Sequence, residues 1–265
     1  MGNGAAVTFG GALKTELSRM RRHPADTLVV VALNGVLMTI VWFALPRSWF
    51  FVFTGPSGYA LALATWMYAD VTATNVLAAD RERALELLDD PESMRTVLRA
   101  KQTALWLIVA PLCSVVAIAC GFFEQDWPYT VLVVLAVAII PVGALAVSGL
   151  VGVLFPYHAR SLRWRWRERH RFRPVILRWS VLSVMPFVVY PLTAILILAI
   201  PLGIWWLLTE FDGGRRVPTS VFALCLLGAT LIAFACWMTA HRFAVHWIGQ
   251  HSATLRDYLS DPDRG

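Results

Sequence analysis

The sequence is poor in charged residues. Only 15% of its 265 residues are Asp, Glu, Lys or Arg, whereas 58% are hydrophobic, and the mean hydropathy is +0.62. Soluble domains are about half apolar and about a quarter charged. One core of this size cannot bury so much apolar surface. The low charge therefore excludes a soluble enzyme, a disordered chain and a disulfide-stapled scaffold, and it predicts an integral membrane protein with several spans.

Cysteine and histidine are also scarce, and their spacing does not suggest a site. The four cysteines form no CxxC motif and no Cys/His metal-ligand spacing. His241, His246 and His251 form neither an HExxH motif nor another metal-binding pair on one helix face. We therefore expect small buried cysteines and no catalytic, cofactor-binding or metal site in this chain.

The scarcity of lysine excludes a nucleotide site of the P-loop type. Such a loop places a lysine between a glycine and a Ser or Thr, so that the amine reaches the phosphates. The only lysines are Lys14, which follows Leu13, and Lys101, which precedes Gln102. Neither fits the motif. If the protein performs ATP-driven work, the ATP and its Mg²⁺ must be bound by another chain.

Six apolar segments are long enough to cross about 30 Å of hydrocarbon at a rise of about 1.5 Å per residue. The sequence therefore predicts an all-α, polytopic fold with six transmembrane helices. The expected spans are 27–45, 59–79, 104–123, 129–154 with Pro141 and Gly143 inside, a fifth from about Val181 with three prolines, and 217–237.

The distribution of basic residues predicts the orientation. With both termini in the cytoplasm, all of the 23 basic residues except Arg47, Arg215 and Arg216 lie inside. The reverse orientation would violate the positive-inside rule at every loop. We expect a multi-pass protein of a bacterial cell membrane. The net positive charge then comes from cytoplasmic loops that lie beside anionic lipid, and we expect no nucleic acid as partner. The run 157–173, which mixes arginine with Trp164 and Trp166, fits a juxtamembrane anchor or generic positive-inside anchoring.

The expected organisation is an arm at 1–26, a transmembrane domain at 27–248 and a cytoplasmic tail at 249–265. In the arm, Phe9, Leu13, Leu17 and Met20 recur at helical spacing, with basic residues on the other faces. This pattern predicts an amphipathic helix in the lipid headgroup layer. The alternative is a disordered basic tail.

The segment 80–101, DRERALELLDDPESMRTVLRAK, predicts two helices between spans two and three. Asp80 can cap a short helix with Leu85 and Leu88 on one face. Asp90, Pro91 and Glu92 then form a helix-start signal, with Asp at the N-cap and Pro at the first position. The alternative is a solvated helical hairpin.

This segment resembles the inner loop of ABC-2-type transporter permeases. That family has an acidic-Arg-Glu start, a short helix, a Pro-containing break and a basic run ending in Lys. The matching residues here are Asp80, Arg81, Glu82, Arg83, Glu86, Leu87, Leu88, Pro91, Arg95 and Lys101. Ala84 and Leu85 replace a pair such as Gly-Thr, and Asp90 replaces the Thr before the proline.

The resemblance implies the permease subunit of an ATP-binding-cassette exporter. The 80–89 helix would couple to a separate ATPase, with Leu85 and Leu88 docking in its cleft, and a second permease, identical or related, would complete the transporter. Substrates would be amphipathic: drug-like, lipid or peptide. The implied coupling residues are Asp80, Arg81, Glu82, Arg83, Leu85, Glu86, Leu88, Pro91 and Arg95. A channel or an intramembrane enzyme remains the alternative.

Asp70 is the only acidic residue well inside a predicted span, and Thr74 and Asn75 make the lower half of that span polar. Intramembrane carboxylates commonly face protein or water and mark a pathway. We expect these three residues to line a translocation path or a subunit interface. A structural hydrogen bond or a protonated buried acid is the alternative. After Pro201, the sequence fits either a re-entrant hairpin or one kinked helix.

Overall fold

Every regular element in the described part of the chain is a helix. A computed structural model describes residues 7–22, 27–45, 55–69, 71–158, 162–171, 173–209 and 217–261. The helices are α1 (Phe9–Arg22), α2 (Leu28–Ala44), α3 (Pro56–Met67), α4 (Val71–Thr74), α5 (Arg81–Leu87), α6 (Pro91–Glu124), α7 (Trp127–Leu154), α8 (Leu162–Arg167), α9 (Arg173–Val184), α10 (Pro186–Thr209) and α11 (Thr219–Ser260).

Four helical stretches are long and apolar enough to cross a membrane. They are α6, α7, the α9–α10 stretch and α11. Within the described residues, this confirms the prediction of an all-α fold with several helices long and apolar enough to be membrane spans. The α7 helix continues through Pro141, and α10 continues through Pro191 and Pro201. Prolines in membrane helices are tolerated where neighbouring groups satisfy the freed carbonyls.

The first predicted span coincides with α2, which has 17 residues. At about 1.5 Å per residue, α2 is about 26 Å long, slightly less than the hydrocarbon thickness. Its apolar side chains are largely exposed, including Leu33, Ile40 and Phe43. This exposure suits a helix that faces lipid or another apolar surface.

The second predicted span is not one continuous helix. α3 ends at Met67, and residues 75–77 between α4 and the 3₁₀ turn Ala78–Asp80 are not helical. Side chains from other helices bond the backbone carbonyls beside the breaks. Asn34 Nδ2 donates to the carbonyl of Ala69 at 2.7 Å, and Lys101 Nζ donates to that of Val76 at 2.7 Å. The sequence pattern shows the apolar length of this segment, whereas the breaks depend on these distant donors.

The last two predicted spans differ from their expected bounds. α9 and α10 meet at Met185, directly before Pro186, because the residue before a proline disfavours helical geometry. α10 runs unbroken through Pro201 to Thr209, so the described part of this region is one helix. Residues 210–216, where the turn of a hairpin would fall, lie outside the described residues. α11 does not end near residue 237 but continues to Ser260, with a kink at His251.

α7 lies at the centre of the fold, against α3, α4, α6, α10 and α11. Its contact with α11 is close because Gly143 has no side chain. A Cβ at this position would lie 2.7 Å from the Cα of Ala233. α6 and α11 also contact each other, and α5 contacts both helices. This arrangement places α5 beside the charged beginning of α6 and the second half of α11.

Candidate functional site

The candidate site is built around the two helix starts of the 80–101 segment. The prediction for the second start is confirmed: Asp90 is the N-cap of α6, its carboxylate accepts a hydrogen bond from Ser93 N–H at 3.1 Å, and Pro91 is in the first turn. Hydrogen bonding from the Ser93 side chain, together with that from its backbone N–H, holds the pKa of Asp90 below its usual range. The prediction for the first start is only partly right. Asp80 occupies the N-cap position of α5, but its side chain makes no capping hydrogen bond.

The apolar side of α5 faces this chain's own core. Leu88, directly after α5, is 1% exposed and belongs to an apolar cluster that includes Leu77, Ile248 and Leu259. Leu85 is partly buried against the same cluster. The expectation that Leu88 docks in a partner is therefore corrected, because the second half of α11 already covers it.

Acidic side chains occupy the outer side of α5. Glu82, Glu86 and Asp89 are exposed. Asp89 Oδ2 is 2.7 Å from Nη2 of Arg256 on α11, and Arg81 donates to the carbonyl of Ser260 at 2.8 Å. Two polar contacts and an apolar cluster thus fix α5 to α11, and the carboxylates of Glu82 and Glu86 are left facing outward.

The expected tail 249–265 is helical as far as Ser260. Leu255 and Leu259 are buried in the apolar cluster around Leu88. Tyr258 stacks on His158 with 4.8 Å between ring centroids, and its carbonyl lies 3.0 Å from His158 Nε2. We call residues 249–260 the brace, because this part of α11 packs against α5 and the segment after α7.

The N-terminal arm forms the helix predicted for it, but the helix is held by the protein. Met20 is buried in the main core, and Leu13 and Leu17 pack against it. Phe9 is 44% exposed. α1 packs along α6. The expected anchor residues Leu13, Leu17 and Met20 therefore contact protein, and only Phe9 is largely free to meet a membrane surface.

A buried carboxylate that the sequence analysis missed links α1 to α5. Glu16 on α1 is 0% exposed. It pairs with Arg19 at 3.0 Å and lies 3.7 Å from Nη1 of Arg83 on α5. One signal was available, since Glu16 lies four residues from both Ala12 and Met20, the other buried positions of α1. Arg83, an expected coupling residue, thus faces the arm.

The expected path residues lie inside the fold where they are described. Thr74 and Asn75 are both buried, and Asn75 Nδ2 donates to the carbonyl of Tyr157 at 2.9 Å. A cavity of about 10 Å³ adjoins Asn75, Lys101 and Gln102. Such a volume has room for about one water molecule. Asp70 lies outside the described residues, so its predicted role stays a prediction.

The described residues hold no group of three or more His, Cys, Asp or Glu side chains able to bind a metal ion. No family model, curated protein or solved structure matches the chain. Any assignment of function must therefore rest on the geometry and on the chemistry of the residues. Among the described residues, the acidic outer side of α5 is the strongest candidate for a functional surface, because contacts with α1, α6 and α11 hold this helix in place.

Proposed function

We propose that the chain is the transmembrane permease subunit of an ATP-binding-cassette exporter, and that α5 is its coupling helix. The support is the loop pattern of 80–101 together with the position of α5. A coupling helix must pass a displacement to the spans, which requires firm attachment to the rest of the permease. The attachments of α5 through Leu88, Arg81 and Asp89 supply this property.

The proposal assigns ATP and Mg²⁺ to two separate ATPase subunits and pairs the chain with a second permease. Both termini and α5 are cytoplasmic in this arrangement, and all six apolar segments cross the membrane, with the 59–79 segment as a broken helix. An amphipathic small molecule, a lipid or a peptide would pass between the two permeases, near Asp70, as the ATPases close and open.

Within this proposal, residues other than Leu88 meet the ATPase. Because Leu88 is covered by α11, the contact falls to the exposed carboxylates of Glu82 and Glu86. These carboxylates require a cleft with basic side chains. Exposed ion pairs are individually weak, about 0.2–1 kcal/mol each, so both charges should be reversed together.

The experiment is purification of the tagged full-length chain from membranes of its own source, followed by peptide sequencing and ATP hydrolysis assays. We expect a P-loop ATPase in stoichiometric amount with the wild type. The double variant Glu82→Lys/Glu86→Lys should lose most of it, because it replaces attraction with repulsion. Glu168→Lys, a single charge reversal outside the 80–101 segment, is the control and should retain it. Equal retention by the double variant would refute the role of α5.

A further inference from the structure

A basic cluster lies where the charged beginning of α6 meets the middle of α11, apart from the proposed coupling surface. We define it as Arg95, Arg99, Trp237 and His241. The guanidinium of Arg99 lies over the indole of Trp237, with Cζ 4.8 Å from the ring centroid. The ring of His241 is 5.3 Å from the same indole. Arg95 lies one helical turn from Arg99 on α6, so both arginines project from one face.

The cluster has positive charge without a matching carboxylate. No ion pair within the described residues involves Arg95 or Arg99, whereas Arg19, Arg83 and Arg256 each have an acidic partner. Two partly buried arginines one helical turn apart repel each other, and a bound anion would relieve that repulsion.

Two buried nitrogen atoms in the cluster lack a hydrogen-bond partner among the described residues. One is Nε of Arg99 and the other is Nε2 of His241, a side chain that is only 4% exposed. Nδ1 of His241 donates to the carbonyl of Trp237 at 2.9 Å, so Nε2 of the neutral ring is an acceptor, suited to a headgroup hydroxyl, whereas Nε of Arg99 is a donor suited to an anion. Buried polar atoms without partners are uncommon, and a missing ligand is one explanation for them.

The position of the cluster selects a lipid as the source of the anion. Trp237 ends the apolar run of the last predicted span, and Arg99 comes five residues before the apolar segment 104–123. Trp side chains favour this interfacial level of a membrane. Phe234 stacks on Trp237 at 5.9 Å and is 55% exposed, one turn toward the membrane. An acyl chain would therefore meet Phe234 while its phosphate reaches the arginines.

We propose that this cluster binds the phosphate group of an anionic phospholipid of the cytoplasmic leaflet. Arg95 and Arg99 hold the phosphate with charge-assisted hydrogen bonds, and Phe234 and Trp237 contact the first part of the acyl chains. Basic pockets between transmembrane helices on the cytoplasmic side bind acidic headgroups in this way. The site concerns this chain alone and does not depend on the proposed ATPase partner.

The test uses native mass spectrometry of the purified full-length chain, titrated separately with phosphatidylglycerol, phosphatidylcholine and inorganic phosphate. We expect a tight phosphatidylglycerol adduct in the wild type. Its dissociation constant should rise roughly tenfold in Arg95→Gln/Arg99→Gln. Arg21→Gln/Arg22→Gln removes the same charge from the exposed end of α1 and should change it by no more than about twofold.

Other outcomes would overturn the proposal. Equal losses in the two double variants would mean unspecific attraction to basic surface. Equal binding of phosphatidylcholine would remove the requirement for an anion, and displacement of the lipid by millimolar phosphate would assign the site to the free ion. Arg95→Gln alone leaves Arg99 on Trp237, so it tests the site if the double variant aggregates. We expect it to weaken phosphatidylglycerol binding about threefold, and no weakening would count against the site.

Discussion

At the scale of single residues, several positions acquire their importance from contacts distant in sequence. Gly152 on α7 is the sharpest example, since a Cβ there would collide with the backbone carbonyl of Thr74. The close approach lets the broken segment after α4 lie directly against α7. A glycine in an apolar helix gives little sign of such a contact in the sequence.

We expect Gly152→Ala to destabilise the protein by about 1–3 kcal/mol, because backbone rather than a flexible side chain must move. The measurement is the thermal unfolding midpoint of the purified protein in detergent. Gly249→Ala is the matched control, since a Cβ there meets nothing within 4 Å. The account of this contact fails if the two variants have the same midpoint.

The sequence predicted residues whose role is local and missed those whose role depends on packing. Asp90 was recognisable as an N-cap because capping is decided by the next three residues. Asn34 and Lys101 were not recognisable as donors to the carbonyls beside the breaks, because those carbonyls belong to segments 35 and 25 residues away. Glu16 was overlooked because carboxylates are normally exposed on such helices.

At the scale of elements, α5 is the helix whose observed contacts differ most from the expected ones. The sequence predicted a short charged helix with an apolar side, and the helix is there. The sequence could not predict whether a partner protein or another part of this chain covers that apolar side. The answer depends on α11 continuing to Ser260, beyond the last predicted span. The sequence after residue 237 indicates a cytoplasmic end because its hydropathy falls.

Leu88→Asp should therefore impair folding of the chain itself. It removes a buried leucine, which costs about 2–5 kcal/mol, and places a carboxylate without a partner in an apolar cluster. We expect a strong fall in the yield of monodisperse protein on size-exclusion chromatography. Leu85→Asp makes the same change at a partly buried site and should have a smaller effect. Normal yield of Leu88→Asp would mean that the brace does not cover α5.

At the scale of the whole molecule, the general class was predictable and the details of the spans were not. Hydropathy and length predicted the apolar parts of α6, α7, α10 and α11, because each contains a long apolar run. The same measures could not separate a continuous span from the interrupted segment 59–79. They also could not show that α1 packs against α6 rather than lying alone in the headgroup layer.

The predicted orientation can be tested by cysteine labelling in intact cells with a membrane-impermeant maleimide. Single cysteines at Glu86 and Arg169 should be protected until the cells are opened. A cysteine at Gln125, between α6 and α7, should react from outside. These positions suit the experiment because all three are exposed in the structure. Labelling of Arg169→Cys from outside would rule out the six-span orientation.

The central claim is that α5 contacts an ATPase, and site-specific photocrosslinking in native membranes tests it most directly. A benzophenone amino acid replaces Glu86 in the full-length chain, and the crosslinked product is identified by peptide sequencing. We predict a P-loop ATPase as the main product. The same probe at Trp166, which is 73% exposed on α8, should give little of it. Stable expression of the Glu86 variant without any crosslink to a P-loop protein would contradict the account.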